Sequence, residues 1–150
     1  MEIPIYYATL TGQTAYIAEV VSSCLQNTLS IEAPVHDVDG KASDFMTPGG
    51  IFGCSTYGTG DPNPIAELFL EKLVQDKVSL NGSRIALFGL GESIYPDFCC
   101  SVDVAAETFE ALGAEIIQPM LKLDTLCNGD EIYEQIKAWV EIVAPKLHLT

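Results

Sequence analysis

Basic residues are scarce in this chain, with seven lysines and arginines against 21 aspartates and glutamates and a formal net charge of −14. A field of that sign repels nucleic acid and anionic lipid and attracts basic proteins, although the same charge also serves solubility alone. Histidine is scarcer still. His36 falls in a weak strand pattern and His148 near the end, so neither a histidine-centred triad nor a histidine metal site can be assembled. The five cysteines, Cys24, Cys54, Cys99, Cys100 and Cys127, are odd in number and lack the paired spacing of a zinc site, which leaves them as reduced thiols. No apolar run approaches the roughly 20 residues needed to span a bilayer, and the opening MEIPIYYA reads as a strand, not a signal peptide. A cytoplasmic location, with no membrane or nucleic-acid partner, is the expectation.

Phosphate-handling signatures are missing as well. No G-x-x-x-x-G-K-[ST] occurs, so nucleoside triphosphate hydrolysis lacks its lysine. No G-x-G-x-x-G follows the first strand pattern, which removes the usual dinucleotide fingerprint. The first loop also has no cysteine and arginine pair for thiolate phosphate chemistry.

What is present is a regular alternation. Residues 3–10 read as strand one, 14–26 as a helix, 30–38 as a weaker strand near the sheet edge, and 49–56 as strand three. Residues 64–75 then form a helix opened by Pro64, 83–91 strand four, 101–113 a helix closed by Gly113, 114–120 strand five, and 129–145 the last helix. Five strands alternating with helices predict a parallel α/β domain with helices on both faces. No linker or repeat interrupts residues 1–150, so a single domain is expected.

In an open parallel sheet, ligands bind beyond the carboxyl ends of the strands. The loops expected there are TLTGQT, STYGTGDPNP, GLGESIYPDFCC and KLDTLCNGD, and they are rich in glycine, hydroxyl and aromatic residues. In the first, Thr9, Thr11 and Thr14 carry hydroxyls and Gly12 allows a tight turn into the helix, whose first N–H groups can hold a phosphate without a cation. Helix capping by Thr11 is the competing reading. Tyr57 and Tyr95, with Phe98, stand on neighbouring loops where they can sandwich a flat ring. Asp61, Glu92, Asp97 and Asp124 rim the same place without a paired acid and base, so a bound cofactor has to carry any reactivity.

These motifs, in this order, resemble the flavodoxin family across essentially the whole chain. The family's Ser/Thr-x-Thr-Gly-x-Thr phosphate loop is matched by Thr9, Thr11, Gly12 and Thr14. STYGTGDP (55–62) and GLGESIYPDFC (89–99) look like the FMN domains of cytochrome P450 reductase and sulfite reductase and like small MioC-type relatives. The DPNP stretch after Tyr57 is shorter than the family's usual segment.

The resemblance implies an α/β, flavodoxin-like three-layer fold with a five-stranded parallel sheet in the order 2-1-3-4-5. It implies noncovalent FMN, with Thr9, Leu10, Thr11, Gly12, Gln13 and Thr14 on the phosphate and Tyr57 and Tyr95 against the isoalloxazine ring. Ser55, Thr56, Gly58, Thr59, Gly89, Leu90 and Gly91 would border the ring and ribityl chain, Phe98 and Cys99 would lie beside the cofactor, and Asp124 would approach the ring. The implied function is single-electron shuttling, through the flavin semiquinone/hydroquinone couple, between a basic NAD(P)H-dependent reductase and an acceptor protein, by a monomer. A small flavin-dependent NAD(P)H or quinone oxidoreductase, and a cofactor-free binding or regulatory module on the same scaffold, are the alternatives.

Overall fold

The computed structural model describes residues 2–9, 12–39, 49–57, 61–92, 94 and 98–147, and of Tyr57 and Asp61 the backbone alone. The elements run β1 (Ile5–Ala8), α1 (Gln13–Leu29), β2 (Val35–Asp37), β3 (Gly49–Tyr57), β4 (Asp61–Pro62), α2 (Pro64–Gln75), β5 (Arg84–Gly91), α3 (Cys100–Ala111), β6 (Glu115–Asp124) and α4 (Gly129–Leu147). The sheet is ordered β2-β1-β3-β5-β6, parallel throughout, and the short β4 pairs antiparallel with β3. Counting the five parallel strands alone, this is the expected 2-1-3-4-5 order.

Period-two alternation divides the strands between two apolar layers. Ala86, Phe88 and Leu90 of β5 face a cluster built with α1 and α4, while Ile85 and Leu87 face one built with α2 and α3. The helices answer with stripes at helical spacing. Ile17, Ala18, Val21, Cys24 and Leu25 are the buried side of α1, and Ala66, Phe69, Leu70 and Leu73 that of α2. Both faces of the sheet are therefore covered, and β5, buried from Ile85 to Leu90, has a continuous apolar sequence because it meets helices on each side.

The structure departs from the sequence expectation at two strands. β6 continues to Asp124, four residues past the expected end at residue 120, and Pro119 inside it has no N–H to give the ladder. The ladder absorbs that proline by a change of register: β5 advances from Ala86 to Phe88 while β6 advances from Ile117 to Leu121. The Trp139 indole N–H donates to the Pro119 carbonyl at 2.7 Å and Lys146 Nζ to the Gln118 carbonyl at 2.9 Å, so α4 holds the bulge. β2 is shorter than expected, and outside Val35–Asp37 it is tied to the β1 segment by Ile3 N–H to the Glu32 carbonyl and Ile5 N–H to the Pro34 carbonyl.

Candidate functional site at the carboxyl edge of the sheet

Parallel strands put all their carboxyl ends on one edge, and the register lines them up. Ala8 of β1 pairs with Cys54 of β3, Cys54 with Gly89 of β5, and Gly89 with Lys122 of β6, so the loops that follow these strands share one rim. Thr9, Gly12 and Gln13, Ser55 and Thr56, Leu90 and Gly91, and Asp124 all belong to this edge. Leu10, Thr11, Gly58, Thr59 and Tyr95 lie outside the described residues, as do Asp97, His148 and the side chains of Tyr57 and Asp61.

The first loop turns on Gly12, whose φ of 91° is left-handed and whose missing Cβ would meet open space. Its N–H donates to Thr9 Oγ1 at 2.9 Å, closing the loop on itself. Gly12 is also the cap position of α1, and among the described residues no side chain caps the helix there. Nor does α1 carry an acidic residue in its first turn, although α2, α3 and α4 carry Glu67, Asp103, and Asp130 with Glu131. The first-turn N–H groups of α1 thus keep the positive end of the helix dipole uncompensated, in a chain of strongly negative charge. The Thr14 side chain is buried, and Gln13 is exposed.

The glycines of the third loop serve packing. A Cβ on Gly89 would stand 2.0 Å from Val102 Cγ2, and one on Gly91 would stand 3.1 Å from Cys99 N and 3.2 Å from Cys99 Sγ. Their bare Cα atoms therefore let the start of α3 lie against the end of β5. Cys99, at the cap position of α3 with φ 54°, is fully buried and its thiol donates to the Leu123 carbonyl at 3.7 Å. It stands behind the rim, and Phe98 packs half-buried against the same layer. Burial pushes the Cys54 and Cys99 thiols up to about 12, so both stay protonated at neutral pH. Leu90 is also buried, toward α1 and α4, and contributes backbone to the rim.

Polar side chains hold this edge together, and two of them, Ser101 and Asn63, were not among the residues singled out from the motifs. Thr56 Oγ1 and Ser101 Oγ lie 2.7 Å apart, and the Cys54 thiol donates to Ser101 Oγ at 3.7 Å, which fastens β3 to α3. Asn63 is completely buried, donates from Nδ2 to the Ala8 carbonyl and to Ser55 Oγ, and caps α2 by accepting from Ala66 N–H. An Asn directly before Pro64 is an N-cap signal, so its role at α2 was readable from the chain. At the far end, Asp124 Oδ1 accepts from Leu126 N–H at 2.9 Å, and Thr125 N–H donates to the Gly91 carbonyl at 2.9 Å.

The basic residues are unevenly placed along the strands. Lys72, Lys77, Arg84 and Lys146 stand at the opposite end, where strands begin and helices finish, among acids such as Asp76, Glu110 and Glu115 at the same end. Lys122 lies at the site end and pairs with Asp103 at 3.1 Å. Among the described residues, no cluster of His, Cys, Asp and Glu is arranged to hold a metal ion, and no helix is long and apolar enough to cross a membrane.

Comparison with known proteins agrees with this geometry. The family model described as Flavodoxin matches residues 5–139. The chain belongs to the flavodoxin family. A flavodoxin of Maridesulfovibrio salexigens is 31% identical over 149 residues, covering 95% of this chain and 97% of its own. The probable flavodoxin 1 of Bacillus subtilis is 32% identical over 140 residues, covering 90% of this chain and 85% of its own. The crystal structure of oxidised flavodoxin 2 from Bacillus cereus superposes with a TM-score of 0.86 at 29% identity, over 97% of this chain and 99% of that one.

Proposed function

We propose that this flavodoxin binds one FMN at the carboxyl edge of its sheet and carries single electrons between a basic NAD(P)H-dependent reductase and an acceptor protein. The observation that carries the reading is the start of α1: left-handed Gly12, no side-chain cap among the described residues and no first-turn carboxylate. An anion at such a helix end gains up to about 2 kcal/mol from the dipole alone, before hydrogen bonds are counted.

The residues fit the cofactor. Thr9, Leu10, Thr11, Gly12, Gln13 and Thr14 would hold the phosphate, chiefly through backbone N–H groups, with Thr14 supporting the loop from below. Ser55 to Thr59 and Gly89 to Gly91 would border the ring and its chain, with Tyr57, Tyr95 and Phe98 as the aromatic contacts, Cys99 behind them and Asp124 near the rim. FMN, when bound, supplies the one-electron chemistry that no side chain here provides. The protein's part is to orient it and set its field. Carboxylates such as Glu92 and Asp124 disfavour adding negative charge nearby and so lower the reduction potential, while the protonated Cys54 and Cys99 thiols add no charge.

The same charge pattern supports a basic partner, steered to the site end and bound weakly. Five free thiols support a reducing, cytoplasmic setting, and residues 1–150 act as one domain and a monomer. The test is electron delivery from a flavodoxin reductase, followed by stopped flow over a range of ionic strength. Rates should fall as salt rises, and NADPH without the reductase should leave the flavin oxidised. Rates indifferent to salt would contradict the partner reading, and rapid reduction by NADPH alone would replace the carrier with an oxidoreductase.

A further inference from the structure

We infer that Asn63 is a positioning residue that fixes the phosphate loop relative to the loop after β3, an inference resting on the FMN reading above. The β1–β3 ladder ends at the pair Ala8 and Cys54. Where it stops, the Asn63 amide takes over: Nδ2 donates to the Ala8 carbonyl at 2.9 Å and to Ser55 Oγ at 3.0 Å. Oδ1 accepts from Ala66 N–H at 2.9 Å, and the Asn63 backbone N–H donates to the Ser55 carbonyl at 3.0 Å. The side chain is 0% exposed, so each of these bonds is made away from water.

Capping alone explains only half of this arrangement. Serine or aspartate would supply the acceptor for Ala66 N–H equally well. Only a carboxamide joins two donors to that acceptor on one planar group, and both are spent on strand residues that lead toward site loops: Ala8 toward residues 9–14, and Ser55 toward the loop that follows β3. A ligand that spans the two loops depends on their spacing. FMN would span both through its phosphate and ring, whereas riboflavin, lacking the phosphate, would rely chiefly on the ring side.

The experiment compares FMN with riboflavin, each titrated into the full-length apoprotein by quenching of flavin fluorescence, with thermal unfolding recorded beside it. Asn63→Ser keeps a capping oxygen and deletes both donors; Asn63→Ala deletes the cap as well. Asn63→Ser should weaken FMN about tenfold more than riboflavin, the loss of roughly one buried hydrogen bond, and Asn63→Ala should lower the melting temperature further without enlarging that ratio. Unchanged FMN affinity in a folded Asn63→Ser, or an equal loss for both flavins, would overturn the inference by reducing Asn63 to a cap or a general brace. Ser55→Ala, which removes one acceptor of Nδ2, is judged by the same ratio if Asn63→Ser does not fold, with a shift of the same sign expected. A wild-type protein that binds neither flavin would overturn the FMN reading and this inference with it.

Discussion

Gly89→Ala puts the packing of α3 against the site to a severe test. The added Cβ would stand 2.0 Å from Val102 Cγ2, 3.5 Å from Val102 Cβ and 3.6 Å from the Cys54 carbonyl oxygen. Carbon atoms in contact sit about 3.5–4.0 Å apart, so the clash with Cγ2 requires a retreat of roughly 1.5–2 Å. Val102 cannot swing aside, being β-branched, helical and buried at 1% exposure. The helix itself must back away, taking with it Ser101 and its contact to Thr56, and Cys99 and its bond to Leu123. Overpacking of this kind costs about 1–3 kcal/mol. At about 2–4 °C per kcal/mol for a chain of this size, the melting temperature should fall by about 2–12 °C. Calorimetry of the apoprotein measures the fall, and FMN affinity should drop with it because the rim shifts. The double variant Gly89→Ala with Val102→Ala should recover about 1–2 kcal/mol relative to the sum of the singles, since the new methyl occupies space that Val102 vacates. A Gly89→Ala protein as stable as wild type, or strictly additive effects, would refute the reasoning.

Gly12→Ala should cost about 1 kcal/mol from its left-handed φ and weaken FMN binding, while Gly12→Asn, which tolerates that backbone, should cost less; equal unfolding free energies would remove backbone strain as the cause. The Cys54 and Cys99 thiols are raised in the folded protein from 9.0 to about 12, so their contribution to stability is complete below pH 9 and is lost as pH rises toward 12. From about pH 8 to about pH 10 each should withdraw about 1.4 kcal/mol, and Cys54→Ala should make the urea-measured decline shallower by that amount. Trp139→Phe removes the indole donor to the Pro119 carbonyl and should cost about 1 kcal/mol, with faster amide exchange along residues 120–124 than in wild type.

Much of the architecture was legible because the local signals agree with the tertiary environment. Residues 83–91 read as a buried strand since β5 is covered on both faces, and Pro64 marked the first turn of α2. The extension of β6 from residue 121 to Asp124 was not legible, because the register shift around Pro119 that keeps β6 paired with β5 depends on the fold. β4 is two residues long and contains a proline, below what any periodicity can register. At the site, the position of each loop followed from topology, but side-chain direction did not. Gly89 and Gly91 read as close approach to a ligand, and the structure shows that α3 occupies the space beside them. Thr14 reads as a hydroxyl donor and Cys99 as a neighbour of the cofactor, and that both side chains are buried could not be read from the motifs. Asn63 carries an N-cap signal, yet its bonds to Ala8 and Ser55 depend on strands brought together by the fold.

The central claim is that this flavodoxin holds FMN, and the most direct measurement is a titration of purified, folded apoprotein with FMN, read by visible absorption and by calorimetry. The account predicts saturable binding of one FMN per chain, perturbed flavin bands, and a clear loss of affinity in Gly12→Ala. Folded protein that leaves the FMN spectrum unchanged and gives no heat of binding would contradict it.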